Sequence, residues 1–212
     1  MALLERVGSV PLPPYIRREP GAPDLAEDRE GYQTVFAREP LAIAAPTAGL
    51  HFNAEILERI ASRGVVVADL TLAVGAGTFS PVRVADTSEH IIEGEDVFLP
   101  RQTAVAVEQT QSAGGRVVAV GTTVTRALEA AARLPLGKNE DGDRRFQTDL
   151  FIQPGFEFRA VDVLLTNFHL PRSSLLMLVC AFGGRQRVLD AYAEAVREGY
   201  LFYSFGDAML IG

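Results

Sequence analysis

The sequence predicts an α/β fold, a mostly parallel sheet that is open or curled into an incomplete (β/α) barrel. Three observations predict it. Short apolar runs alternate with stretches of helical spacing along most of the chain, and that alternation gives parallel strands joined by right-handed crossovers. Several apolar runs end in a turn rich in Gly, Thr, Asn or His and then enter a helix, the place where α/β proteins keep their chemistry. The 212 residues are 48% hydrophobic, enough to bury a sizeable core.

The elements follow in order. Residues 1–40 carry Pro11, Pro13, Pro14, Pro20, Pro23 and Pro40, with Pro46 just beyond, and read as an extended connector. Residues 41–212 read as one α/β domain of catalytic type. A strand over 42–45 leads into His51, and Asn53 is placed to cap a helix over 53–63 whose Ile56, Leu57 and Ile60 keep helical spacing. A strand over 65–74, a helix over 101–113, a strand over 117–120 and a helix over 123–134 come next. Strands over 150–153 and 161–166, helices across 173–197 and a last strand over 201–203 complete the pattern. This leaves about six strands where a closed barrel has eight, so an open edge is expected, ready to pair with another copy or a separate segment.

Composition narrows the setting. The longest apolar stretch, over 175–182, is far shorter than the roughly 20 residues a spanning helix needs, and the first residues show no signal pattern; a cytoplasmic protein without a membrane partner is expected. The single cysteine, Cys180, excludes an internal disulfide and reads as a small core residue. A net charge of −7 argues against holding nucleic acid by general electrostatics, although the arginine pairs Arg17-Arg18, Arg144-Arg145 and Arg185 with Arg187 leave room for a local basic face. Lys138 is the only lysine and stands in a polar loop, which disfavours Schiff-base chemistry.

The candidate chemistry lies in the turns after the strands, which share one face of such a sheet. His51 and His169 follow apparent strand ends, and imidazole changes charge near neutral pH. Asn167 stands two residues before His169. Gly121-Thr122-Thr123 precedes a helix, where free N–H groups favour an anion, and Arg126, one exposed turn further, adds a fork suited to a carboxylate. Gly75 and Gly77, with Thr78, allow a substrate close approach to the backbone. His90, Glu93 and Glu95 form a polar cluster whose spacing is weak as a zinc pattern. Asp207 lies between aromatic and apolar residues, where burial would raise its pKa and suit it to acid-base work or to accepting backbone N–H groups. Tyr200, Phe202, Tyr203 and Phe205 read as core in preference to a base-stacking platform.

Several of these segments stand together in one order: Leu12-Pro13-Pro14-Tyr15, the run from Ala45 through Pro46, Thr47, Ala48, Gly49 and Leu50 to His51, then Gly75-Ala76-Gly77-Thr78-Phe79, Gly121-Thr122-Thr123, Asn167-Phe168-His169-Leu170-Pro171, and Ser204-Phe205-Gly206-Asp207. In this the chain resembles the S-adenosylmethionine:tRNA ribosyltransferase-isomerases of queuosine biosynthesis, from about Leu3 to the last residue. The resemblance implies transfer and isomerisation of the ribosyl part of S-adenosylmethionine onto a 7-aminomethyl-7-deazaguanine in tRNA, giving epoxyqueuosine. S-adenosylmethionine is then a substrate, tRNA the partner, and no metal is needed. Such chemistry requires a base for the proton beside the sulfonium, donors to help adenine leave, and a dry pocket. It places His51, His90, His169, Glu95 and Asp207 as catalytic candidates and Gly75, Gly77, Thr78, Thr122, Thr123, Arg126 and Asn167 as substrate-binding ones. The family commonly has a histidine where this chain has Glu93 and a basic residue where it has Leu201. It also has a further region before Leu12, with a small β-barrel domain, to which residues 1–40 would be the connector. Two alternatives remain: a catalytically incomplete fragment that binds RNA or a partner, and a metal-dependent barrel hydrolase or lyase.

Overall fold

In the computed structural model, residues 12–13, 15–16, 26–39, 41–75, 87, 92–134 and 142–212 are described. Among the described residues helix α1 (Ala26–Gly31) comes first, within the stretch expected to be an extended connector. A 3-10 turn (Thr47–His51) leads into helix α2 (Ala54–Ala61), and the Asn53 side chain accepts from Ile56 N–H at 2.8 Å, as its capping position predicts. Strands β1 (Thr71–Ala73) and β2 (Glu95–Leu99), helix α3 (Arg101–Ser112), strand β3 (Val118–Val120) and helix α4 (Thr122–Ala131) follow. Strands β4 (Arg144–Thr148) and β5 (Val163–Asn167), helices α5 (Ser174–Gly183) and α6 (Arg185–Arg197), and strand β6 (Ala208–Ile211) complete the order.

The expected mostly parallel, barrel-like sheet is not what forms. Among the described residues, two three-stranded sheets take its place. One has the order β1-β2-β4 and is antiparallel throughout; the other has the order β3-β5-β6, with β3 parallel to β5 and β6 antiparallel to it. Only the β3–β5 pair keeps the crossover geometry that alternation implied. The physical reason lies in strands that carry charge. In β2 and β4 buried and more exposed positions alternate, the mark of a strand with one covered face, and they pair in register from Glu95 opposite Thr148 to Leu99 opposite Arg144. Across that pair Arg145 lies over the Phe98 ring, 4.7 Å from its centroid, so a charged residue contributes apolar contact instead of interrupting the strand.

The remaining differences are apolar runs that do not pair into sheets. The apolar segments 42–45, 150–153 and 201–203 are irregular, and of 65–74 only Thr71–Ala73 is strand; Val65, Val66 and Val67 are exposed. Ile43 N–H still donates to Val74 O at 2.9 Å, an isolated link between these stretches.

Two apolar clusters hold the elements. Val97, Leu99, Val117, Ala119, Ala127, Leu128 and Val161 join the antiparallel sheet to β3 and α4, while Ile152, Leu164, Leu178, Val179, Cys180 and Val188 join β5 to α5 and α6. Phe182 packs against both. Cys180 is the core residue the sequence implies, and burial pushes its thiol up. The Glu129 carboxylate is fully buried; it accepts from the backbone N–H groups of Arg159, Ala160 and Val161 at 2.9 to 3.1 Å and pairs with Arg133 at 2.5 Å. Four donors on one carboxylate replace the water it lost, and they fix the loop that feeds β5.

Candidate active site

The end of β5 is the centre of the polar arrangement. Asn167, the strand's last residue, is 2% exposed, so its amide must find partners inside the protein. Oδ1 accepts from Thr47 Oγ1 at 3.3 Å, and Nδ2 donates to His51 Nε2 at 3.2 Å. Both partners belong to the 3-10 turn, so one side chain ties that turn to the sheet. Two residues on, His169 places Nε2 2.8 Å from Thr166 Oγ1, and its backbone N–H donates to Tyr192 Oη on α6 at 2.8 Å. Burial pushes the His169 imidazole down to about 4, which makes it neutral at ordinary pH. Phe168, between them, faces an aromatic cluster of Tyr192, Tyr200 and Phe202, with centroids 5.0 to 5.9 Å away. Ser173 then caps α5 by accepting from Leu176 N–H at 3.1 Å.

These residues border two clefts. The larger, of about 1190 Å³, is lined by Thr47, Thr122, Thr123, Thr166, Asn167 and His169 among others. The smaller, of about 490 Å³, is lined by Glu30, Leu50, His51, Phe205 and Asp207, and Gln33, Phe52 and Ser204 border both. The two histidines are thus joined through the end of β5 but open into different clefts.

At the β3–α4 junction Gly121 adopts φ +100°, backbone that only glycine takes readily, and no side chain caps the helix. The first N–H groups of α4 therefore remain for a ligand or water at the larger cleft, beside Thr122 and Thr123. Arg126 does not join them. It is 5% exposed and lines neither cleft; its guanidinium lies 2.5 Å from Glu95, and both side chains are 6% exposed. The exposed helix position expected from the sequence is in fact the interior, because α4 is covered by the antiparallel sheet on that side. Burial pushes the Glu95 carboxyl up, and the Arg126 guanidinium draws it back only in part.

Asp207 is exposed where burial was expected, but it takes the second of the two uses expected of it, accepting a backbone N–H: Oδ2 accepts from Leu201 N–H and the Asp207 N–H donates to Leu201 O, both at 2.8 Å. Gly206 is required in that loop, since a Cβ there would lie 2.5 Å from the Leu201 carbonyl oxygen. Gly75 is exposed at the end of β1. Gly77, Thr78 and His90 lie outside the described residues.

The structure adds groups that the sequence reading missed. Ser204 is 4% exposed and shares a hydrogen bond of 2.5 Å with Tyr15 Oη; with Tyr32, whose phenol burial pushes up to about 12, it forms a hydroxyl-bearing wall of the larger cleft. Thr47 and Thr166 are the partners of Asn167 and His169. Arg116 and Arg172 are exposed at the rim of the larger cleft. Arg172 follows directly on the histidine loop, at φ +56°.

An α/β protein with a largely apolar cleft that carries a few polar groups at a strand end, bordered by an uncapped helix N-terminus, belongs among the binding and catalytic folds. The particular class comes from comparison. The model of the family described as queuosine biosynthesis protein matches residues 1–211, and the chain belongs to that family. It is 56% identical over its full length to an S-adenosylmethionine:tRNA ribosyltransferase-isomerase of Citrifermentans bemidjiense, covering 60% of that protein. It is 54% identical over 98% of its length to the protein of the same name from Geotalea uraniireducens, covering 59% of it. The chain thus spans about 60% of the length of the curated relatives it matches. The crystal structure of an S-adenosylmethionine tRNA ribosyltransferase from Thermotoga maritima superposes with a TM-score of 0.64 at 47% identity, over 78% of this chain and 51% of the other.

Proposed function

We propose that this chain carries the S-adenosylmethionine cleft of a tRNA ribosyltransferase-isomerase, which moves the ribosyl part of S-adenosylmethionine onto a 7-aminomethyl-7-deazaguanine in tRNA and rearranges it. The observation that carries the reading is the family match across residues 1–211, together with the meeting of Thr47, His51 and Asn167 at the end of β5. The larger cleft is roomy enough for a nucleoside with an amino-acid arm. Thr122, Thr123 and the free N–H groups of α4 suit the methionine carboxylate.

Removal of the proton beside the sulfonium needs a group that is unprotonated at working pH. His169 meets that condition, since its burial keeps the imidazole neutral. Tyr15, Tyr32 and Ser204 supply hydroxyl donors on the cleft wall, suited to the hydroxyls or leaving base of a nucleoside. Arg116 and Arg172 at the rim offer phosphate contacts in a chain of net charge −7, so tRNA is held by a local basic edge. Val118, on the edge strand β3, is 52% exposed, and self-association through that edge is part of the same proposal.

Isothermal titration of this chain with S-adenosylmethionine tests the reading: saturable binding that weakens when Thr123 is replaced by proline supports it, and absence of binding overturns it. Ribosyl transfer by these 212 residues alone is expected to be weak or absent and to return when the remaining length of a curated relative is joined to them.

A further inference from the structure

We propose that Asn167 and Thr47 are positioning residues that hold His51 with its proton on Nδ1, so that the imidazole presents an N–H donor, and not a lone pair, to the smaller cleft. Asn167 is 2% exposed and has two polar ends, each matched to one partner: Oδ1 to the Thr47 hydroxyl at 3.3 Å and Nδ2 to His51 Nε2 at 3.2 Å. An amide nitrogen only donates, so the ring nitrogen facing it must offer its lone pair. In a neutral imidazole the proton then resides on the other nitrogen.

Thr47 decides the direction of the amide. With Oδ1 toward it, the hydroxyl proton has an acceptor; with the amide reversed, an N–H would point at that oxygen, and the hydroxyl proton would have no acceptor among the described residues. The relay therefore runs from Thr47 through Asn167 to Nε2. No described residue is hydrogen-bonded to Nδ1, and His51 lines the smaller cleft together with Asp207 and Ser204. What enters that cleft against His51 must then carry an acceptor, such as a carbonyl or ring nitrogen. That last step, what the donor serves, rests on the transferase reading; the tautomer itself does not.

The test is a two-bond proton–nitrogen correlation spectrum of the ligand-free chain labelled with 15N-histidine, with His51→Gln used to assign the signal. The wild-type chain should show His51 protonated at Nδ1 and bare at Nε2. Asn167→Asp replaces the donor by a carboxylate that only accepts, so the proton should move to Nε2. Thr47→Val, a milder change on the half-buried 3-10 turn, should release the amide and raise the Nε2-protonated form from minor to comparable. A wild-type spectrum with the proton on Nε2, or one that neither variant alters while the His169 signals stay native, overturns the proposal. Should Asn167→Asp not fold, the wild-type and Thr47→Val spectra decide. Failure to bind S-adenosylmethionine would sink the transferase reading and leave this spectrum as it is.

Discussion

Two junctions of the same sequence grammar, β3 into α4 and β5 into α5, put their polar residues to opposite uses. Each runs from an apolar strand through a polar turn into a helix. At the β5 junction the polar groups face the clefts: Asn167 meets His51 and Thr47, while His169 lines the larger cavity. At the β3 junction only Thr122 and Thr123 do so. The next turn faces inward, where Thr125 bonds to Gly121 O at 3.0 Å, Arg126 pairs with Glu95, and Glu129 gathers the 159–161 loop. The difference lies in what covers each helix. Helix α4 is packed against the antiparallel sheet, so its charged face has no route to solvent, whereas the loop before α5 ends at a cavity. A polar residue after a strand thus gains its role from its neighbours in space.

That contrast can be broken most severely at Glu129. Glu129→Ala leaves the 159–161 N–H groups and Arg133 without their carboxylate, and should lower unfolding free energy by about 3–5 kcal/mol in denaturant titration. A loss under ~1 kcal/mol would show that the clasp is incidental. Arg126→Ala should cost a comparable ~3 kcal/mol by leaving Glu95 buried beside no cation, with little direct effect on ligand contacts. If instead stability holds and S-adenosylmethionine binding falls, Arg126 belongs to the site.

His169 should show the reverse pattern. In a protein extended to the length of its relatives, His169→Ala should reduce ribosyl transfer by roughly 10²-fold or more while the fold persists, if this imidazole moves a proton. Retained turnover would reassign it to loop structure. Its neutrality has a second consequence. The unfolded chain takes up a proton on this ring near pH 6.5 and the folded chain only near 4, so stability is full above about 6.5 and falls as pH drops through that window. The loss is at most ~3 kcal/mol, and His169→Gln should remove that part of the pH dependence. An unchanged pH profile would show that the ring is not held neutral. The smallest expected effect is at the rim: Arg172→Ala should leave stability within about 0.5 kcal/mol and reduce the salt slope of tRNA binding by about 1.

The sequence made helix α2 legible where cap and spacing agree, at Asn53, and α5 from the apolar run after a polar turn, and β3 and β5 where apolar runs are bounded by glycine or polar turns. It failed where strands carry charge. In Glu95–Leu99 and Arg144–Thr148 the apolar content is low, and only cross-strand contacts such as Arg145 on Phe98 reveal them. The 201–203 segment misled in the other direction. Its aromatics serve the Phe168 cluster and its backbone is folded back by Asp207, so the strand forms later, at Ala208–Ile211.

At the site, the position of His51, Asn167 and His169 after apolar runs was readable. Their partners were less so. Thr47 meets Asn167 across 120 residues and Tyr15 meets Ser204 across 189, separations that local pattern does not bridge. The burial of Arg126 and the exposure of Asp207 depend in the same way on which surfaces come together.

The central claim is that the cleft at the end of β5 takes S-adenosylmethionine, and a proton–nitrogen amide spectrum of the labelled chain titrated with that ligand tests it most directly. The account predicts shifts concentrated at Thr47–His51, at Thr122 and Thr123, and at Asn167, Phe168 and His169, with α6 and strand β4, which do not line the cleft, undisturbed. Shifts centred on the Glu95–Arg126 pair and strand β4, or none at saturating ligand, would contradict it.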